Sequence, residues 1–209
     1  MITGGKKAVA VIGEGITEKY YIESLRGLVG RNFQILPQQL GLKASSLVEL
    51  EKAIMKAVDE GHDEVYCLID MDSKEAGAGV QKYEKLKMKY HDRHFVKKKK
   101  GVDCYVRFIE TRRCTELWFI YYFEYLTRHF SSYKEVENRL HKFVPDYEKT
   151  ERYFRGAGNL HKRLLACGGN LKRALGNAEK SVAACKQMQS TDASYSEMFV
   201  LFQALDIVE

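Results

Sequence analysis

The sequence predicts an α/β fold: a mostly parallel four-stranded sheet flanked by helices, followed by a helical extension. Three observations carry this. Short apolar runs rich in small and β-branched residues end on glycine or acid, as at residues 7–13 and 64–70. Stretches with apolar residues at helical spacing separate those runs. After Phe130 no further strand-like run appears. Strands that alternate with helices need crossover connections, and these produce parallel sheets covered on both faces.

The elements follow in order. Residues 7–13 (Lys-Ala-Val-Ala-Val-Ile-Gly) read as a buried strand. Tyr20, Tyr21, Leu25 and Leu28 then recur at helical spacing. A short second strand is expected at residues 33–36. Ser45 or Ser46 can cap a helix running to about Asp59, with Leu47, Leu50, Ile54 and Val58 on one face. The third strand, residues 64–70, precedes a lysine-rich helix that runs to about Tyr90. Residues 102–109 alternate as a fourth strand, with Val102, Cys104, Val106 and Phe108 on one face. Residues 116–126 are apolar nearly all round and predict a buried helix. Beyond them, Ser132 can cap a helix to about Val144, and residues 160–165, 171–188 and 195–207 also read as helical. The glycines at 156, 158, 168 and 169 read as breaks. Residues 1–130 are thus expected to form the α/β domain and 131–209 a helical extension packed on it.

Bulk properties narrow the class. Hydrophobic content of 45% with 30% charged residues is that of a globular protein with its own core. No apolar stretch approaches the ~20 residues that span a bilayer, and the N-terminus lacks a signal-peptide layout. The 5 cysteines form no Cys-x-x-Cys pair, which fits reduced thiols in the cytoplasm. The net charge of +6 is concentrated: residues 85–113 hold eleven Lys and Arg against three acids, so the rest of the chain sums to −2. A patch of that kind suits a polyanion partner, and Lys97, Lys98, Lys99, Lys100, Arg112 and Arg113 are its candidate phosphate contacts. A solvated loop is the plainer reading of the lysine run.

The most informative stretch is Asp70-Met71-Asp72 at the end of the third strand. Residues i and i+2 of a strand point the same way, so both carboxylates can converge at the strand exit, where open α/β sheets bind ligands. Two hard oxygen ligands there suit Mg²⁺ or Mn²⁺. The alternative is a cap of the next turn or helix. Glu14 stands between two glycines at the exit of the first strand and can join the pair if the two strands are neighbours. Glu18 lies in the first turn of the next helix, where the dipole favours a carboxylate. Glu116 opens a helix too apolar for a free acid, so it needs a cation or strong donors. Arg112, Arg113 or a metal are candidates for that cation. Acids gathered at one strand edge repel each other unless a divalent ion joins them, an arrangement suited to phosphoryl transfer.

The residues Gly13-Glu14-Gly15, Thr17-Glu18 and Tyr20-Tyr21 resemble the opening motif of the RloB-like family, grouped with abortive-infection proteins. Asp70-x-Asp72, Cys114-x-Glu116-Leu117-Trp118 and Tyr147-x-Lys149-Thr150 resemble its later elements, in the same order. Arg112-Arg113 stand where family members commonly carry Asn-Pro. The resemblance implies a Toprim-like fold, related to the nuclease domains of OLD-family proteins, topoisomerases and DnaG-type primases. It implies that Glu14, Asp70 and Asp72 bind Mg²⁺ (or Mn²⁺), with Glu18 and Glu116 as further catalytic acids. It also implies a role in phage defence beside an ABC-type ATPase.

Three functions are weighed. The first is a metal-dependent nuclease acting on DNA or RNA, with the basic residues on phosphates. The second is a non-catalytic subunit that binds an ABC/OLD-type ATPase; a second copy of the chain is a further candidate partner. The third is a phosphatase or glycosyltransferase with an Asp-x-Asp site. A haloacid-dehalogenase-type phosphatase would place that motif after its first strand, which here ends in Gly13-Glu14-Gly15.

Overall fold

The computed structural model describes residues 7–29, 33–35, 46–72, 74, 78–98, 101–156, 159–188 and 193–207. Its strands are β1 (Lys7–Ile12), β2 (Phe33–Ile35), β3 (Glu64–Asp70), β4 (Arg93–Lys97) and β5 (Val102–Thr111). They form one sheet in the order β2-β1-β3-β5-β4. The pairs β1·β2, β1·β3 and β3·β5 are parallel, and β4 runs antiparallel to β5 at the edge. The expected α/β architecture is present. Its four expected strands are joined by β4, whose Arg93, His94 and Lys97 mark it as a charged edge strand.

Between strands run α1 (Ile16–Leu25), α2 (Leu47–Asp59) and α3 (Ala78–Tyr90). Ser46 caps α2: its hydroxyl accepts from the Glu49 amide at 3.2 Å. Ser45 lies outside the described residues, as do Leu36, Lys99 and Lys100. After β5 come α4 (Glu116–Tyr121), α5 (Tyr133–Leu140), α6 (Glu151–Gly156), α7 (Leu160–Ala166), α8 (Leu171–Met188) and α9 (Met198–Ala204). The helix expected over 116–126 stops at Tyr121. The amides of Tyr122 and Phe123 bond back three residues, to Phe119 and Ile120, which tightens the last turn and ends it.

Strand alternation sorts the core into two layers. Ala10, Ile12, Val65, Cys67, Ile69, Met71, Val106 and Phe108 face α2 and α3. Val9, Val11, Tyr66, Leu68 and Ile109 face α1, α4 and the C-terminal helices. The second layer is continuous from Tyr21 and Trp118 to Phe154, Leu164, Ala178 and Phe202, so α5–α9 share a core with the sheet. Trp118 is fully buried at its centre. Truncating such a side chain costs about 3–5 kcal/mol. The C-terminal segment also grips β5 directly: the Arg112 and Glu197 amides donate to the carbonyls of Tyr195 and Glu110.

Candidate active site

β1 and β3 are adjacent and parallel, so Glu14 and Asp70 leave the same sheet edge side by side. The alternation that puts Met71 in the α2–α3 layer turns Asp70 to the other face, where α1 and α4 begin. Glu18 and Thr17 lie in the first turn of α1, and Thr115 and Glu116 at the start of α4. Five of the expected site acids therefore meet at one edge, with Asp72 exposed on the rim beyond β3. Two subclusters result.

The first joins Glu18 to Asp70. Thr115 Oγ1 hydrogen-bonds Glu18 Oε1 closely and lies 3.0 Å from Asp70 Oδ1. Thr115 precedes α4, yet its hydroxyl makes no capping bond; it is committed to the acids. A hydroxyl carries one proton and so cannot donate to two ionised carboxylates at once. One acid must hold a proton, or a cation must join the pair. Both groups are displaced accordingly. Burial raises Glu18, aided by the charge of Glu116 and opposed by the Thr115 bond. Burial and then the charges of Glu18, Glu116 and Glu14 raise Asp70 well above the usual carboxylate range. Glu18 Oε2 is buried and has no hydrogen-bond partner among the described residues. Gly15 accommodates that oxygen, since a Cβ at this position would stand 3.0 Å from it.

The second subcluster surrounds Glu116, which is completely buried. Its Oε1 accepts from Thr17 Oγ1 at 3.0 Å and Tyr147 OH at 2.9 Å, and lies 3.1 Å from Lys149 Nζ. Lys149 is thus the cation that Glu116 needs. Burial works against its charge, but Glu116, Glu18 and Asp70 override that and push its pKa up. Behind this cluster, Trp118 Nε1 donates to Tyr21 OH at 2.5 Å, Tyr21 and Tyr122 share a hydrogen bond of 2.7 Å, and Tyr122 reaches His161 Nδ1 at 2.9 Å.

Glu14 makes a third contact. Its Oε2 is 2.8 Å from Lys74 Nζ, and the same ammonium donates to the Asp70 carbonyl at 2.6 Å. Burial raises Glu14 to about 6 against the pull of Lys74, with Glu18 and Asp72 adding to the rise.

One expectation about Glu116 is corrected, and the structure places the candidate basic residues. Neither Arg112 nor Arg113 pairs with Glu116. The Arg112 guanidinium lies over the Tyr195 ring, and Arg113 donates to the Phe130 carbonyl and contacts His129 Nε2 at 3.4 Å. Arg113 holds φ at +93°, a conformation costly for a residue with a Cβ. Of the lysine run, Lys97 pairs with Asp59 and sits opposite Val102, at the entry end of β5. Asp70 sits opposite Thr111, at the exit end. The strand between them spans about 30 Å, so Lys97 and its exposed neighbour Lys98 stand at the far end of the sheet from the acids.

Thr17, Lys74, Thr115, Tyr147 and Lys149 were not assigned roles from sequence. Tyr147 and Lys149 carried a signal only in their resemblance to a family element. Lys74 and Thr115 carried none beyond their closeness to Asp72 and Glu116.

The donor set suits a hard divalent cation: carboxylate oxygens, one of them buried without a hydrogen bond. As placed, no three His, Cys, Asp or Glu side chains among the described residues are grouped to hold one ion. Glu14 is drawn towards Lys74 and Glu116 towards Lys149.

Fold and site define an α/β protein with a carboxylate cluster at the exit edge of its parallel strands. The family model described as RloB-like protein matches residues 9–205, and the chain belongs to the RloB-like family. No curated protein and no solved structure gives a significant match. No helix among the described residues is long and apolar enough to cross a membrane.

Proposed function

We propose that the chain is a Mg²⁺- or Mn²⁺-dependent nuclease of Toprim-like type that hydrolyses phosphodiesters in DNA or RNA. One observation carries the reading. Thr115 has one proton for Glu18 and Asp70, and Glu18 Oε2 is buried without a hydrogen bond, so the pair takes up either a proton or a cation, and a divalent ion meets that need with both acids ionised. Family membership supports the further reading that the protein acts in phage defence with an ABC-type ATPase.

Glu18, Asp70, Glu14 and Asp72 would hold the ion, which supplies charge neutralisation at phosphate oxygens and a more acidic water. The chain's own residues do the rest. Thr115 fixes the spacing of Glu18 and Asp70. Lys149, anchored on Glu116, brings a fixed positive charge to the same edge. Glu14, raised by burial to about 6 in the metal-free protein, loses its proton near neutral pH and so is available as a ligand. Arg113, whose charge acts on Asp72, leads to an exposed basic surface of Arg128, His129 and Lys142. We assign phosphate contacts near the site to that surface.

The test is a side-by-side incubation of wild type and Glu14→Ala with plasmid, single-stranded DNA and tRNA, in Mg²⁺, Mn²⁺ or chelator. A product that needs both the metal and Glu14 is expected with one substrate class. Cleavage that survives chelator or the substitution would overturn the assignment.

A further inference from the structure

We infer that Lys74 is a built-in counter-cation: it holds Glu14 in the metal-free protein and is displaced when a divalent ion binds. The inference rests on the metal reading above and deepens it.

Lys74 is an unusual lysine. Its side chain is only 6% exposed. Its amide donates to the Met71 carbonyl at 2.9 Å, which closes the turn after β3 and aims the side chain back at the sheet edge. The ammonium there bridges two strand exits, with Glu14 Oε2 from the β1 side at 2.8 Å and the Asp70 carbonyl from the β3 side at 2.6 Å. A buried lysine is retained only where its charge is matched. The match here is the acid that precedes α1, itself surrounded by the charges of Glu18 and Asp72.

The geometry follows from charge and reach. Metal coordination brings a carboxylate oxygen into direct contact with the ion, at ~2.0–2.1 Å for Mg²⁺. An ammonium already bonded to that carboxylate competes for it. While Lys74 holds Glu14, the group that remains is Glu18 with Asp70, and no three acids close on one point among the described residues. Recruiting Glu14 requires the Lys74 contact to break. The four-carbon lysine stem is flexible, and its charge is better hydrated once the ion has replaced it.

The direct test is pulse acetylation of lysines in the whole protein with acetic anhydride, read by mass spectrometry, with Lys52 as an exposed reference. In chelator, Lys74 should label far more slowly than Lys52. Saturating Mn²⁺ should speed its labelling by about tenfold or more, as for a group released from a closed contact. Glu14→Gln should produce the same acceleration without metal. Lys74→Met should bind Mn²⁺ about tenfold more tightly than wild type, because a competing charge is gone. Lys74 labelling that is unchanged or slower in Mn²⁺ overturns the inference. Calorimetry on the same samples separates the two failures. Bound Mn²⁺ with Lys74 still protected rejects only the displacement. No Mn²⁺ binding at all rejects the metal site and the displacement together.

Discussion

The hydroxyl of Thr115 stands 3.0 Å from Asp70 Oδ1 while it hydrogen-bonds Glu18, so one proton serves two acids from different elements. Thr115→Val removes it and leaves shape and volume nearly unchanged. Losing a partner that orients metal-binding groups typically costs 10–100-fold in affinity or activity. A drop of about that size in Mn²⁺ affinity is expected for Thr115→Val, with Thr115→Ser close to wild type. Equal affinities for Val and wild type would remove Thr115 from the site.

Acidity should stabilise the metal-free protein. Glu14 sits at about 6 in the folded state against an ordinary 4.5. A group raised on folding contributes stability that is fully present below its unfolded value and is lost as pH climbs through the folded one. The window for Glu14 is therefore about pH 4.5 to 6, and the shift corresponds to ~2 kcal/mol. Asp70 and Glu18 are displaced in the same direction. Urea unfolding in chelator should show stability rising from pH 7.5 to pH 5, and excess Mg²⁺ should flatten the trend. A metal-free protein that loses stability over that interval would contradict the assigned shifts.

Lys149 should matter for stability as well as chemistry. It is the cation on a completely buried Glu116, and its own side chain is 36% exposed. Lys149→Met strands that carboxylate, which should cost about 1–3 kcal/mol after allowing for solvent at the lysine end. Adding Glu116→Gln, which keeps the bonds from Thr17 and Tyr147, should recover most of the loss. A double-mutant cycle by urea denaturation measures this, and additive losses would show that the two groups do not couple.

The sequence made the sheet edge legible for a physical reason. Period-two alternation fixes which face Asp70 leaves from, and short apolar strands between helices force parallel neighbours, so Glu14 and Asp70 had to meet if β1 and β3 were adjacent. Glu116 was legible because an acid on an all-apolar helix cannot stand alone. Its partner was not, because Lys149 comes from a segment with no periodicity and is set in place only by tertiary packing. Lys74 looked like any lysine in a polar loop. The edge strand β4 was hidden because Arg93, His94 and Lys97 make an exposed strand resemble a basic loop, so the sequence alone did not say where the lysine run lies relative to the acids. Its position at the far end of the sheet follows from the register of β4 on β5.

The most direct test of the central claim is a calorimetric Mn²⁺ titration of wild type and Asp70→Asn at pH 7.5. The substitution keeps size and an oxygen for Thr115 but removes the charge shared with Glu18. Wild type should bind Mn²⁺, and Asp70→Asn should bind it at least about tenfold more weakly, as loss of a charged ligand demands. Equal binding by the two proteins, or none by wild type, would contradict a divalent-cation site at this strand edge.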